Sequence, residues 1–461
     1  MLPDIALLDI FEFYMNGNQE AWQILVHVCQ NWRTVVFGSP RRLDLRLFCT
    51  TKTPVGEMLD IWPLLPIVVR VEDDEEQDVD NIIAALEHND RICQLDLKCP
   101  RFQMERVLAA MQKPFPILTY LNLCPGSKIA PIDPDLFLGG SAPQLQTLIL
   151  YNISFPGLPK LLLSATQLVL IDLWSIRPFG YISPGIMLSC LTVLTRLERL
   201  KIGFKYLQSR SNLTGQSPPL VPRVLLPILT EFRFKGLPEY LEVLVARIDA
   251  PLLNNLNVIF FFYEPIIASS QLIQFIDRTP KLKAHDQVRV VIDPNSDAWV
   301  TLPQSYGGKL RLKIIHTDSP SDQLSSVAQF CNSSIPRDLI SGVECLYIAE
   351  GDSHYSDFEE DAIEDSPVQW VELLRPFTAV KRLYISLEFT PHLVLALQEL
   401  VRERVTEVLP TLETLFLEEP QELGPEQDGI EQFVAARRLV DQCVTLSHWN
   451  GIKDVRDEME D

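Results

Sequence analysis

The sequence predicts a mixed α/β protein in which a small N-terminal helical module precedes a solenoid of repeated strand–helix segments. First, short apolar segments recur between residues 92 and 258 at spacings of 23–32 residues. Second, residues 1–40 carry two apolar stripes at helical spacing. Third, the 461-residue chain exceeds the size at which a single core stops growing. We therefore expect a curved parallel sheet on a concave face and helices on a convex face.

The N-terminal module, residues 1–40, is predicted from two stretches of helical periodicity. Pro3 precedes the first stretch, where its missing N–H would have no partner in any case. Two short amphipathic helices cannot bury both apolar stripes alone, so a partner or the following domain is expected to cover them. The stripes consist of Leu7, Ile10, Phe11 and Tyr14, and of Trp22, Leu25, Val28, Cys29 and Trp32.

These residues resemble an F-box, whose pattern opens Leu-Pro-x-Glu-Ile-Leu-x-x-Ile-Phe and closes Val-Cys-Lys-x-Trp-Arg. The sequence departs from the pattern at Ile5, Ala6 and Gln30. The resemblance implies docking onto a Skp-type adaptor, and through it onto a cullin–RING (SCF) ubiquitin ligase. The alternative is a helical cap on the solenoid without an adaptor. The matching residues are Leu2, Pro3, Leu7, Ile10, Phe11, Val28, Cys29, Trp32 and Arg33, and those expected to bind the adaptor are Leu2, Pro3, Leu7, Ile10, Phe11, Val28 and Trp32.

Residues 41–450 are predicted to form the solenoid, because strand-like segments of Leu-x-x-Leu-x-Leu character recur along them. They resemble leucine-rich repeats of the long, irregular kind found in fungal-type F-box proteins. An α/β domain with a parallel sheet is the alternative, since strands alternating with helices indicate that fold too. The segments are 92–97, 118–123, 145–150, 168–173, 197–202, 229–234, 253–258, 343–348, 380–385 and 412–417, with a weaker one at 309–314.

The remaining elements follow from local signals. We expect a first strand at 41–48, a first convex helix at 81–87, a final helix at 427–440 and a last strand at 443–449. Ser183 is a candidate N-cap, with Pro184 in the first helical turn. Acid-rich stretches predict solvated loops at 72–80 and 350–367. Residues 451–461 are expected to form an acidic tail.

Composition argues against several functions. A formal net charge of −21 disfavours binding to nucleic acid or to an anionic membrane, and no apolar run is long enough to span a membrane. The nine cysteines lack Cys-x-x-Cys spacing and the start lacks a secretory signal, so we expect reduced thiols in the cytoplasm or nucleus. With no catalytic motif and no paired histidines, we expect no enzymatic activity, cofactor or metal.

The concave face is the expected binding surface, because residues between the core leucines line it. Cations lie midway along this face and aromatic residues flank them, and arginine and aromatic residues are frequent at interface hot spots. We predict that the face receives an acidic or phosphorylated segment of a substrate protein. The alternative is that the cations pair with intramolecular acids, such as Asp172 or those of the acidic loops. The predicted residues are Tyr151, Trp174, Lys201, Arg233, Lys235, Arg311, Lys313, Tyr347 and Tyr384.

Together these features predict a non-catalytic substrate-recognition subunit of an SCF-type ubiquitin ligase. The F-box would bind the adaptor, the repeats would bind the substrate, and other subunits would transfer ubiquitin. A protein-interaction scaffold with an F-box-like helical cap is the alternative function.

Overall fold

A computed structural model describes most of the chain as two compact units, Met1–Tyr206 and Leu207–Asp461. The predicted acidic loops lie outside the described residues except at 79–80, 350–351 and 367, and the predicted acidic tail lies wholly outside them. The described residues are 2–16, 20–52, 55–71, 79–126, 137–153, 155–205, 223–261, 270–283, 285–293, 297–303, 308–315, 323–333, 335–351, 367–400, 406–418 and 426–449.

The N-terminal unit begins with three helices, α1 (Asp4–Met15), α2 (Trp22–Val28) and α3 (Gln30–Gly38). The second apolar stripe was expected on one helical stretch, but Cys29 is extended (φ −160°, ψ 167°) and separates α2 from α3. The Cys29 Sγ accepts a hydrogen bond from the Trp32 backbone N–H at 3.5 Å, which caps α3. One residue with extended dihedrals thus interrupts a periodicity that continues in the sequence.

Seven parallel strands follow, and each strand after the first pairs with the strand before it in the chain. The first starts at Leu47, later than the predicted residue 41, because residues 41–44 form turns. The strands are β1 (Leu47–Cys49), β2 (Ile67–Val71), β3 (Ile92–Cys99), β4 (Tyr120–Pro125), β5 (Thr147–Tyr151), β6 (Leu170–Ile176) and β7 (Arg199–Phe204). The helices between them are α4 (Val55–Ile61), α5 (Asp80–Leu86), α6 (Arg101–Ala110), α7 (Leu158–Ser164) and α8 (Pro184–Leu191).

The repeated leucines form the core of this unit, as predicted. Leu95 and Leu97 of β3 are fully buried, as are Leu121 and Leu123 of β4. Because successive side chains of a strand alternate between faces, the residues between these leucines face the other side of the sheet. Ser183 caps α8 as predicted, with its Oγ accepting from the Ile186 N–H at 3.4 Å.

The C-terminal unit contains a nine-stranded sheet and a separate parallel pair, β8 (Val224–Leu225) with β10 (Ile248–Asp249). The other strands are β9 (Glu231–Gly236), β11 (Asn255–Phe261), β12 (Gln287–Ile292), β13 (Asp297–Pro303), β14 (Lys309–Ile315), β15 (Cys345–Glu350), β16 (Arg382–Ile385), β17 (Thr414–Glu418) and β18 (Thr445–Trp449). The helices are α9 (Pro238–Val245), α10 (Ser270–Arg278), α11 (Gln323–Ser333), α12 (Arg337–Ser341), α13 (Pro367–Leu374), α14 (Thr390–Leu400) and α15 (Glu426–Arg438).

One strand departs from the predicted parallel sheet. The strand order is β9-β11-β14-β13-β12-β15-β16-β17-β18, and β13 is antiparallel to both of its neighbours. The other pairings of this sheet with a recorded register are parallel. Most strands of both units are therefore parallel and alternate with helices, which confirms a mixed α/β fold and is consistent with a leucine-rich-repeat-like solenoid. In the described part of the chain, no helix is long and apolar enough to cross a membrane.

Candidate protein-binding surfaces

Strand register brings six of the nine predicted substrate-binding residues onto one face of the C-terminal sheet. The partners of Asn257 are Arg233 on β9 and Arg311 on β14, and the partners of Ile259 are Lys235 and Lys313. Across the antiparallel strand, the first of these rows continues through Thr301 and Arg289 to Tyr347, Tyr384 and Phe416. The four cations are half-buried and alternate with buried core residues, so they point away from the core.

Two of the predicted cations lie against one aromatic ring. The Arg311 guanidinium lies 5.2 Å, and the Lys313 ammonium 5.4 Å, from the Trp299 ring centroid. Lys313 also forms an ion pair with Asp297, at 2.5 Å between Nζ and Oδ2. For Lys313, the alternative of pairing with an intramolecular acid therefore holds, although the acid is neither Asp172 nor in an acidic loop.

The remaining cations repel one another. Burial lowers the pKa of Arg311, and the nearby Arg233 lowers it further. Burial also lowers the pKa of Lys235, and Lys313 and Arg233 add to this effect while Asp297 opposes it. A half-buried cluster of mutually repelling cations favours an anionic ligand, because such a ligand would relieve the repulsion. We name Arg233, Lys235, Arg311 and Lys313 the cationic cluster.

The predicted aromatic residues of this unit form a stack. The rings of Tyr347 and Tyr384 lie 4.3 Å apart, and those of Tyr384 and Phe416 also lie 4.3 Å apart. Trp449 of the last strand packs edge-on against Tyr384 at 5.4 Å, and its Nε1 donates to the Ile385 carbonyl at 3.1 Å. Burial raises the pKa of Tyr347 to about 12. Much of the aromatic surface is thus used within the protein.

Three residues of this face were missed by sequence reasoning. Arg289 lies in the same row as Arg311, and its guanidinium is 5.7 Å from the Tyr347 ring centroid. Trp299 underlies two members of the cationic cluster, and Trp449 contacts the aromatic stack. The alternation of polar and apolar residues in 287–292 was a signal for Arg289, although that segment lacks leucine.

The other three predicted residues lie in the N-terminal unit, with a different charge environment. Lys201 pairs in register with Asp172, the intramolecular acid named in the alternative prediction. The Trp174 indole lies over the neighbouring strand, where a β-carbon on Gly203 would be 2.4 Å from its Cε3 atom. Tyr151 is 39% exposed at the end of β5 and pairs in register with Trp174. These two rows, Asp172 with Lys201 and Tyr151 with Trp174, therefore lack the excess of cations found in the C-terminal unit.

The predicted adaptor-binding residues divide into exposed and buried groups. Leu2, Ile10 and Val28 are 57%, 48% and 55% exposed, and Pro3 is exposed as well. Leu7 and Phe11 are buried at 6% and 0%. The half-buried Trp32 contacts the Phe11 ring edge-on, with their centroids 4.8 Å apart.

Further exposed apolar residues lie on the same helices and were not predicted as binding residues. They are Ile5, Phe13, Tyr14 and Ile24, which are 70%, 83%, 48% and 57% exposed. Only Tyr14 belongs to one of the two apolar stripes, so periodicity gave no reason to select the other three. Together with Leu2, Ile10 and Val28, these four residues make these helices a candidate interaction surface.

The helical module also packs across the predicted domain boundary at residue 40. The Trp22 side chain is fully buried, its ring centroid lies 5.1 Å from that of Trp62, and its Nε1 donates to the Arg46 carbonyl at 3.0 Å. Arg42 forms an ion pair with Asp9 of α1. The module and the first repeats therefore belong to one compact unit.

Among the residues that the structure describes, neither metal ligation nor a cavity beside α11 and α12 involves the predicted site residues. No group of three or more His, Cys, Asp or Glu residues in the described ranges is placed to hold a metal ion. A cavity of about 300 Å³ lies beside α11 and α12 and is lined by Arg337 and Arg375, among others. None of the predicted site residues lines it.

Comparisons with known proteins add little to these geometric findings. No protein-family model and no curated protein matches the chain. A solved structure to which it is similar is that of the leucine-rich repeat-containing protein LegL7 from Legionella pneumophila, at 11% sequence identity, over 84% of this chain and 97% of that one. The TM-score of 0.27 is too low to support an argument about fold or function. The leucine spacing and the parallel strand register of the chain itself are consistent with a leucine-rich-repeat-like solenoid.

Proposed function

We propose that this chain is the substrate-recognition subunit of an SCF-type ubiquitin ligase in the cytoplasm or nucleus. It would bind a Skp-type adaptor through its N-terminal helices and a substrate protein through its sheet, while other subunits carry out catalysis. The observation that supports adaptor binding best is the division of the F-box-like residues. Leu2, Ile10 and Val28 are exposed, whereas Leu7 and Phe11 are buried beneath them.

This division fits a docking module. The buried residues hold α1 against α3, and the exposed ones leave apolar surface in water. Each Å² of apolar surface removed from water contributes about 25 cal/mol, so a partner that covers several such side chains gains a substantial part of its binding free energy. Nearby exposed residues, including Phe13 and Ile24, enlarge the apolar surface.

The substrate side of the proposal rests on the cationic cluster. Arginine presents a planar set of donors that matches carboxylate and phosphate groups, so an acidic or phosphorylated segment is the proposed ligand. Lys313 is paired with Asp297, so it is expected to contribute less to substrate binding than Arg311 and Lys235. Lys201, which is adjacent to Asp172, contributes less to the substrate proposal than the sequence prediction assigned to it.

Adaptor capture by the purified full-length chain tests the first half of the proposal. Ile10→Asp and Val28→Asp are expected to lower affinity for the adaptor about tenfold or more, because each places a charge in an apolar contact. Phe102→Asp is the matched control, since Phe102 is 71% exposed on α6 and outside the helical module. Leu7→Asp is unsuitable because Leu7 is buried and its substitution would unfold α1.

A second candidate is a protein-interaction scaffold whose helices only cap the repeats. It is favoured by the departures from the F-box pattern at Ile5, Ala6 and Gln30, and by the packing of Trp22 against Trp62. If the folded wild-type chain does not bind the adaptor, or if Phe102→Asp reduces binding as much as Ile10→Asp does, the ligase proposal fails and the scaffold remains.

A further inference from the structure

We infer that the cationic cluster binds an extended peptide segment that runs along β11 and carries two acidic side chains two residues apart. This deepens the substrate side of the proposed function and rests on it only in taking this face as the substrate-binding surface. The first acid would lie between Arg233 and Arg311, and the second would contact Lys235.

The cluster has the form of a shallow channel. The cations of β9 and β14 are its walls, and the shorter residues of β11 between them, Asn257 and Ile259, are its floor. Adjacent strands lie about 4.8 Å apart, so the two walls are separated by about 10 Å. Long arginine side chains from both walls can therefore reach one anionic group held above Asn257.

The spacing along the channel sets the spacing of the ligand. Arg233 and Lys235 are separated by two positions on one strand, as are Arg311 and Lys313 on the other. Side chains on one side of an extended strand repeat every two residues, at about 6.8 Å. An extended ligand parallel or antiparallel to β11 has the same repeat, so acids at positions i and i+2 match the two rows of cations.

The two rows of cations are not expected to bind an acidic side chain equally well. In the second row, Asp297 already neutralises Lys313, while the Lys235 ammonium lies 5.5 Å from the Phe261 ring centroid. In the first row, the Arg311 Nε is buried and has no hydrogen-bond partner among the residues described. The first acid is therefore expected to contribute more to affinity than the second.

The channel floor favours an extended main chain. The Oδ1 atom of Asn257 is buried and lacks a hydrogen-bond donor within the described ranges, and so does that of Asn255, which lies one row before the channel, between Glu231 and Lys309. A buried acceptor that is left unpaired is destabilising, so a ligand that supplies a donor is favoured. Rotation of each carboxamide would present it to a peptide N–H above β11, and the two asparagines are also two residues apart. The polar floor and the charged walls thus have the same repeat.

The test uses fluorescently labelled nonapeptides, with purified full-length chain and no adaptor. Two have the same composition and net charge, one with Glu-Ser-Glu at its centre and one with adjacent glutamates. A third, of about the same net charge, carries a single phosphoserine in place of the glutamates. At a fixed salt concentration of about 0.15 M, the Glu-Ser-Glu peptide is expected to bind about tenfold more tightly than the adjacent-glutamate peptide. Because the adaptor is absent, the result is independent of adaptor capture.

Variants locate the site. Arg311→Gln and, separately, Lys235→Gln are expected to weaken binding of the Glu-Ser-Glu peptide, the first by about tenfold. Arg438→Gln makes the same charge change on the exposed side of α15 and should leave affinity unchanged. Circular dichroism verifies that each variant is folded.

Several results would overturn the inference. Equal affinity for the two glutamate peptides would show that the cations attract acidic peptides without selecting the spacing of the acids. Equal loss in Arg438→Gln and Arg311→Gln would place binding elsewhere. Tighter binding of the phosphoserine peptide would indicate a site for a single dianion, and no binding of any peptide would remove the ligand class altogether.

Discussion

Substituting Gly203 with alanine is expected to destabilise β6 and β7, because the Trp174 indole occupies the space that a β-carbon needs. An added Cβ would lie 2.4 Å from Trp174 Cε3 and 2.7 Å from its Cδ2 and Cζ3. The ring is a rigid body on a half-buried strand residue, so it cannot yield by the bending of a flexible end. The indole must move as a whole, or the two strands must separate.

The expected change in stability is opposite to the usual effect of replacing glycine by alanine. Gly203 does not have a positive φ, and replacing glycine by alanine at a compatible position normally stabilises by about 0.4–1 kcal/mol. Overpacking costs about 1–3 kcal/mol. The local free energy of unfolding should therefore fall by about 1–2 kcal/mol. Each 1.4 kcal/mol corresponds to about tenfold faster amide exchange.

Hydrogen exchange of the peptide segment that covers residues 199–204 measures the loss locally, which avoids treating two compact units as one transition. The control is Gly203→Ala in a Trp174→Ala background, where the indole is absent and alanine should be neutral or stabilising. The coupling free energy of this double-mutant cycle isolates the contact. Equal effects of Gly203→Ala with and without Trp174, or slower exchange in the single variant, would refute the reasoning.

Two further predictions concern the C-terminal unit. Burial, together with the nearby Glu388 and Asp293, raises the pKa of Glu350 to about 7. The pKa of this carboxyl is therefore higher in the folded protein than in the unfolded chain. The stability that its protonated form contributes is fully present below about pH 4.3 and is lost as the pH rises through about 7. The free energy of unfolding, measured with urea at several pH values, should therefore fall more steeply with rising pH for the wild type than for Glu350→Gln. The same pH dependence in both proteins would contradict this prediction. Arg437 is fully buried and donates to the Val408 carbonyl at 2.5 Å, so Arg437→Met should lower the free energy of unfolding by about 2 kcal/mol. An unchanged urea midpoint for this variant would exclude that role.

The parallel repeats could be predicted because two constraints coincide in their sequence. Alternation places every second side chain on one face, and leucine at those places supplies a shared core, as at Leu121 and Leu123. The strands β12 and β13 could not be predicted in the same way. They contain valine, isoleucine, tryptophan and charged residues rather than spaced leucines, and their pairing partners are set by tertiary structure.

The candidate site could be predicted in part. The position of each cation on its strand followed from alternation, because a side chain between two core leucines must face the other way. Which strands are neighbours did not follow, so Arg289 was not recognised as a member of the same row. The reach of Trp449 to Tyr384 depends on a side-chain rotamer, which no periodicity specifies. In the helical module, helical spacing grouped Ile10 with Leu7 although one is exposed and the other buried.

The antiparallel strand β13 has a consequence for the order in which the C-terminal unit is assembled. The chain leaves β11, forms β12 three places away, and returns through β13 to place β14 beside β11. A regular solenoid can grow from one end as each repeat emerges from the ribosome, because each repeat docks on the one before it. Here β12 has no docking site on β11, and β15 depends on β12. The helix α10 can still pack on α9 as it emerges, but the sheet cannot grow beyond β11 until residues 287–315 have been synthesised and have paired as a meander.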